Sequence, residues 1–238
     1  MRVGFLISSQ DCNHLLTYAL SSVMCQNTSE NICVYLCDDG SIVDQTKFIP
    51  EENPLNIPIR SIKNDRVMGL PYSLNKLIDL ALRDGCNFMS RLDADEMAHP
   101  LRVEFCLKLF REQPDVDLIG YSPGVLSSVR IVGPLLCRVR ECLSSSPLIH
   151  GSWFGKADFF RRKYDEDFLR CQDVELLVRG RVRRIALKSE ELSVFSLRER
   201  GSRATLGFQI KLVRLRYPRL VAGFLEILIR LKWAINQR

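Results

Sequence analysis

Apolar runs of strand length alternate along this chain with segments whose apolar residues recur at helical spacing. No other feature constrains the fold as tightly. "VGFLIS" reads as a buried strand, and Leu15, Leu16, Ala19, Leu20 and Val23 then follow a 3.6-residue period. "ICVYLC" is a second strand, closed by the turn "DDGS", and "IPIRSI" is a third. Pro71 fits the first turn of a helix with Leu74, Leu77, Ile78, Ala81 and Leu82 on its apolar face, and Gly85 ends it. "NFMSRL" reads as a fourth strand. A helix then opens near Pro100, carries Val103, Cys106, Leu107 and Phe110 on one side and stops at Pro114, before a fifth strand, "DLIGYS". Strands that are apolar throughout need cover on both faces, so the pattern predicts an α/β fold: a mostly parallel sheet between layers of helices. Residues 123–148 leave the pattern, and irregular or antiparallel structure is expected there.

A chain of 238 residues has room for one large domain with a small appendage. Its nine cysteines are odd in number, form no CxxC pair and sit mostly among apolar neighbours. They read as buried free thiols of a reducing compartment rather than a disulfide framework or a zinc site. The first apolar run is too short for a signal peptide and has no small-residue cleavage site behind it. Charge is unevenly placed. From Leu197 onward ten Lys/Arg face two acids, a net +8, so a whole-chain charge of +6 leaves −2 for the rest. The basic excess belongs to the C-terminal segment.

Two acid clusters fall at predicted carboxyl ends of strands, where open α/β sheets bind ligands. Asp38-Asp39-Gly40-Ser41 follows the second strand, and Asp93-Ala94-Asp95-Glu96 follows the fourth. In extended chain, residues two apart face the same side about 6–7 Å from each other. Asp93 and Asp95 so placed would suit a divalent ion shared with a ligand, and oxygen-only donors favour Mg²⁺ or Mn²⁺. The competing readings are structural: a plain turn for "DDGS", and for "DADE" an acidic cap on the helix near Pro100. A third cluster, "RCQDVELLVRG", places Asp173 and Glu175 at the start of a helix. His150 and Gly151 interrupt an apolar run just upstream, where a lone His is read as a loop or core residue.

In order, "VYLCDDGS", "NDRVMGLPYSLNKLIDLAL", "FMSRLDADEMAHPLRVE", "HGSWFGKADFF" and "YDEDFLRCQDVELLVRG" resemble the family 2 glycosyltransferases, over about residues 3–185. The likeness is strongest to bacterial enzymes that build exopolysaccharide, capsule or O-antigen units. It implies the GT-A fold, a Rossmann-like three-layer α/β/α arrangement, and inverting sugar transfer from a nucleotide-sugar. By position it implies that Ser8, in the loop after the first strand, and Asp38, Asp39, Gly69, Asn75 and Asp93 line the nucleotide-sugar site. Asp93 and Asp95 would form the DxD motif that holds Mg²⁺ or Mn²⁺, and Asp173 would be the general base. Three departures stand out. The family's Glu-Asp pair is Gln172-Asp173, its usual Tyr-Asn after the first strand is replaced within "SSQD", and an aromatic often found beside the base is Leu177.

The expected organisation is a catalytic domain over residues 1–200 and a basic, amphipathic helical extension over 201–238. In the extension, Arg219, Gly223, Glu226 and Arg230 make a polar stripe, and Pro218 divides two helices. Glu226 and Arg230 argue against a membrane-spanning helix. A helix lying on an anionic bilayer and a helix packed on the catalytic domain or on a twin subunit both remain open. Nucleic acid is disfavoured, for want of interleaved aromatics or a recognised motif. The expected setting is the cytoplasm, peripheral at the inner face of the cell membrane, with a lipid-linked glycan as acceptor. Two rivals remain: a non-catalytic nucleotide-sugar-binding scaffold, kept open by Gln172, and a metal-dependent nucleotidyltransferase, which lacks a Gly-rich basic loop after the first strand.

Overall fold

The computed structural model describes residues 1–121, 148–180, 184–187, 195–196 and 230. The strands are β1 (Arg2–Ser9), β2 (Asn31–Asp39), β3 (Ile59–Asn64), β4 (Phe88–Arg91), β5 (Glu96–Met97), β6 (Leu118–Tyr121), β7 (Phe154–Lys156), β8 (Arg184–Leu187) and β9 (Phe195–Ser196). The helices are α1 (His14–Met24), α2 (Leu70–Arg83), α3 (Arg102–Glu112), α4 (Ala157–Phe160) and α5 (Gln172–Gly180). Seven strands form one sheet in the order β3-β2-β1-β4-β7-β6-β8, and β5 pairs with β9 in a small second ladder. β7 runs antiparallel to β4 and β6, while the other pairs of the main sheet are parallel. This is the mostly parallel, helix-covered sheet that the alternation predicts.

Side chains alternate across β1 and β2, and each face meets its own helices. Val3, Phe5, Ile7, Val34 and Leu36 pack with Leu16, Leu20 and Val23 of α1 and with Val103, Leu107 and Phe110 of α3. Leu6, Tyr35 and Cys37 pack with Leu74, Leu77 and Ile78 of α2, Phe159 and Phe160 of α4, and Leu176 and Leu177 of α5. Each such side chain, fully buried, contributes about 1.5–3 kcal/mol. The seven cysteines of the described residues are free thiols.

β2 and β3 extend the sheet to one side of β1, and β4 extends it to the other. The chain therefore reverses direction across the sheet between β1 and β4. A crevice at the carboxyl ends of the strands forms at such a point. The ends of β1, β2 and β4 carry Ser8, Asp38 with Asp39, and the segment leading to Asp93. Ser8 lies inside β1, opposite Cys37, rather than in the loop after it.

No helix among the described residues is long and apolar enough to cross a membrane. Residues 201–238 lie outside the described residues apart from Arg230, and so does most of the expected irregular segment 123–148.

Candidate active site

The acids that end β2 are buried and committed to the loops around them. Asp38 accepts from the Ser41 amide at 2.9 Å and the Gln45 amide at 3.3 Å, and Lys63 Nζ lies 3.4 Å from its Oδ2. Asp39 takes three hydrogen bonds, each of 2.8 Å, from Asn64 Nδ2 and from the amides of Met68 and Gly69. "DDGS" is thus more than a solvent turn: its carboxylates shape the β2 loop and the loop that enters α2. Gly69, at φ +94°, is the residue before that helix. Asp11 joins the loops after β1 and β2, with its amide bonded to Ser41 Oγ and its carboxylate to the Ile42 amide, both at 2.9 Å.

At the end of β4 the chain turns. The Glu96 amide donates to the Asp93 carbonyl at 3.1 Å, so Asp93–Glu96 is a tight turn and not the extended segment expected from the sequence. Asp93 and Asp95 stay partly exposed, whereas Ala94 and Glu96 are buried. The cap reading of "DADE" does not hold, because α3 begins at Arg102 with Leu101 before it and no side-chain cap.

Two buried arginines support this turn, and sequence reasoning passed over both. Arg91, fully buried, pairs through Nη2 with Asp93 and donates through Nη1 to the carbonyls of Leu6, at 2.9 Å, and Leu92. Arg102 donates through Nη2 to the carbonyls of Arg91 and Gly151 at 2.9 Å and Trp153 at 3.3 Å. Burial lowers its pKa to about 10, so it is still a cation at neutral pH. Their signal in sequence was position: an arginine inside a core strand or on an apolar helix face requires a partner.

Asp173 lies in the first turn of α5, buried beside Gln172. Glu175 is a structural acid. It pairs with Arg179 at 2.7 Å, and Arg179 also donates to the carbonyls of Arg162 and Lys163 at 3.0 and 2.6 Å. Asn75 reaches the same region from α2. Its Oδ1 accepts from the Tyr164 amide at 2.8 Å, and its Nδ2 donates to the Tyr164 carbonyl at 3.0 Å and to Glu166 at 2.8 Å.

Tyr164 is where these pieces meet. Its hydroxyl shares a 2.8 Å hydrogen bond with His150 Nε2. Burial raises the pKa of the phenol well above its ordinary value. Arg91 opposes that shift, while Asp173 and Asp93 add to it. His150 proves to be the buried loop residue the sequence suggested. Tyr164 gave no signal of its own, because a tyrosine in "YDEDF" looks like any core aromatic.

Among the described residues no group of three His, Cys, Asp or Glu is placed to hold a metal ion. Two partly exposed carboxylates on one turn still fit Mg²⁺ or Mn²⁺, since Mg²⁺ is commonly held by one or two carboxylates plus substrate phosphates. A cavity of about 350 Å³ lies at the opposite, amino-terminal end of β1–β3, between Arg2, Asn31, Leu55 and Pro58, and contains none of these acids.

The model of glycosyl transferase family 2 matches residues 5–131. An uncharacterized glycosyltransferase of Methanocaldococcus jannaschii is 24% identical over 173 residues, which cover 69% of this chain and 59% of that protein. S. aureus TarS 1–349 in complex with UDP-GlcNAc superposes with a TM-score of 0.68 at 13% identity, over 96% of this chain and 70% of that one. The mannosyltransferase PcManGT from Pyrobaculum calidifontis, in complex with GDP-Man and Mn²⁺, gives 0.68 at 15% identity over 98% and 74%. A longer TarS chain is covered over 39% of its length, so this chain spans less than two thirds of the archaeal relative and of that TarS. The structural likenesses show a shared GT-A architecture.

Proposed function

We propose that this chain, which belongs to glycosyl transferase family 2, moves a sugar from a nucleotide-sugar to an acceptor hydroxyl with inversion at the anomeric carbon. One observation carries the reading. Asp93 pairs with Arg91, Arg102 ties the Arg91 carbonyl to the His150 turn, and His150 bonds Tyr164, which packs with Leu176 and Leu177 of α5, the helix whose first turn carries Asp173. A donor carboxylate and a base carboxylate so placed serve one reaction centre.

Asp173 takes the proton of the acceptor hydroxyl as that oxygen attacks. The new bond forms on the face of the anomeric carbon opposite the leaving diphosphate, which departs with the electron pair of the broken bond. With one base and no enzyme nucleophile, the displacement is single. Asp93 and Asp95 would hold Mg²⁺ or Mn²⁺, which when bound neutralises charge growing on the diphosphate. Ser8, Asp38, Asp39, Gly69, Asn75 and Asp93 bound the nucleotide-sugar cleft. Asp39 and Asn75 serve it through the segments they hold, 64–69 and 164–166.

The acceptor we favour is a lipid-linked glycan of a cell-surface polysaccharide, reached from the cytoplasmic face of the membrane. The +8 charge after residue 196 supports it, since a basic amphipathic segment is drawn to anionic lipid. The 238-residue chain should co-sediment with phosphatidylglycerol vesicles, less so as salt rises, and a variant ending at residue 200 should not.

The test of activity is nucleoside diphosphate release from a panel of nucleotide-sugars with Mn²⁺ or Mg²⁺, against Asp173→Asn. Release that falls by about 10²–10⁴-fold in the variant supports the reading. Pyrophosphate as the product would assign a nucleotidyltransferase. Donor binding without turnover would assign the scaffold role that Gln172, in place of the family's Glu, keeps open.

A further inference from the structure

We propose that Tyr164 and His150 form a positioning pair that sets the relation between the donor carboxylate Asp93 and the base Asp173. The inference rests on the glycosyltransferase reading above and adds two residues to it.

The pair is held from every side. Tyr164 Oη and His150 Nε2 lie 2.8 Å apart. The Asn75 amide grips the main chain of Tyr164 at both its N–H and its C=O. The His150 ring meets Trp153 edge-on, with centroids 4.8 Å apart, and stands 5.5 Å from the Tyr164 ring. Arg102 then fixes the carbonyls of Gly151, inside the His150 turn, and of Trp153, just after it, and through the Arg91 carbonyl ties that turn to β4. A continuous set of contacts thus runs from the turn after β4 to the loop before α5.

Packing alone does not call for this chemistry. A phenol and an imidazole cost free energy to bury, and their mutual hydrogen bond returns only part of it. A phenylalanine and a leucine would fill the same space without that cost. Tyr164 packs with Leu176 and Leu177 of α5, whose first turn carries Asp173, and the His150 turn reaches Asp93 through Arg102 and Arg91. A hydroxyl fixed there holds the loop leading to Asp173 in register with the turn that carries Asp93. Misplacing reacting groups by about 1 Å can cost about 100-fold in rate.

Tyr164→Phe removes the hydroxyl and keeps the ring. Its kcat should fall by about 10- to 100-fold, while donor KM stays within about 3-fold and the melting temperature changes little. His150→Leu should match it, and the double variant should be no worse than either single one, because both remove the same bond. His150→Gln, which returns a polar atom near the Nε2 position, should regain part of the lost rate. Wild-type kcat in Tyr164→Phe overturns the proposal. So does a loss in which kcat, donor affinity and melting temperature fall together. If Tyr164→Phe does not fold, the comparison of His150→Gln with His150→Leu decides: equal rates overturn the proposal, and rescue by Gln supports it. Failure of the underlying reading shows elsewhere, as wild-type protein that turns over no donor, and that result overturns both.

Discussion

Gly40 and Gly85 share a left-handed backbone, at φ +67° and +74°, but not a neighbourhood. A Cβ on Gly40 would fall 2.3 Å from the Arg66 carbonyl carbon and 2.4 Å from the Val67 nitrogen, whereas one on Gly85 meets nothing within 4 Å. Gly85→Ala should therefore cost only the backbone penalty of about 1–2 kcal/mol. Gly40→Ala should cost at least twice that in urea unfolding and should also weaken donor binding, because the displaced loop is the one Asp39 organises. Equal losses would show that the loop yields freely. Burial also separates the thiols. It pushes Cys37 up to about 11 and Cys106 up to about 12, while Cys25 is exposed. Iodoacetamide at pH 8 should modify Cys25 in the native protein and leave Cys37 and Cys106 intact until denaturant is added, as read by peptide mass spectrometry.

Between elements, a few polar side chains join segments whose apolar faces are already packed. Asn75 joins α2 to the strand-free stretch before α5, and Arg102 joins α3 to β4 and the His150 turn. Asn75→Ala leaves the buried Tyr164 amide and carbonyl without their partner, each worth about 1–3 kcal/mol. The expected result is a lower melting temperature together with faster hydrogen exchange at the Tyr164 amide than in the β1 and β2 core. Unchanged exchange there would mean that water replaces the side chain at no cost. Most elements up to β6 were legible, because periodicity reports which faces are buried: the apolar positions read for α2 and α3 are buried in the structure, except Leu82, which is half-buried. The turn at Asp93–Glu96 was not. An acid-rich stretch with a single alanine has no periodicity, and its shape is set by Arg91 and by pairing of β5 with β9.

Across the whole molecule, stability and metal dependence should separate. The described core is built from two apolar clusters on either side of the sheet, so EDTA should leave the melting temperature of the ligand-free protein unchanged. A nucleotide-sugar supplied with Mn²⁺ at about 100 times its Kd should add about 2.7 kcal/mol of stability, and EDTA should abolish most of that gain. A gain that survives both EDTA and the pair of substitutions Asp93→Asn and Asp95→Asn would place donor binding elsewhere. What the sequence alone determined was the α/β class, the order of the five strands and three helices read up to β6, and the strand-end position of Asp38, Asp39 and Asp93. Those follow from local periodicity and from the rule that parallel strands point their carboxyl ends the same way. Only the tertiary structure decided which buried polar groups meet: Arg91 with Asp93, Asn75 with the main chain of Tyr164, and His150 with its hydroxyl. Such pairings span from two to nearly ninety residues and depend on how elements dock, which no local pattern of apolar and polar residues records.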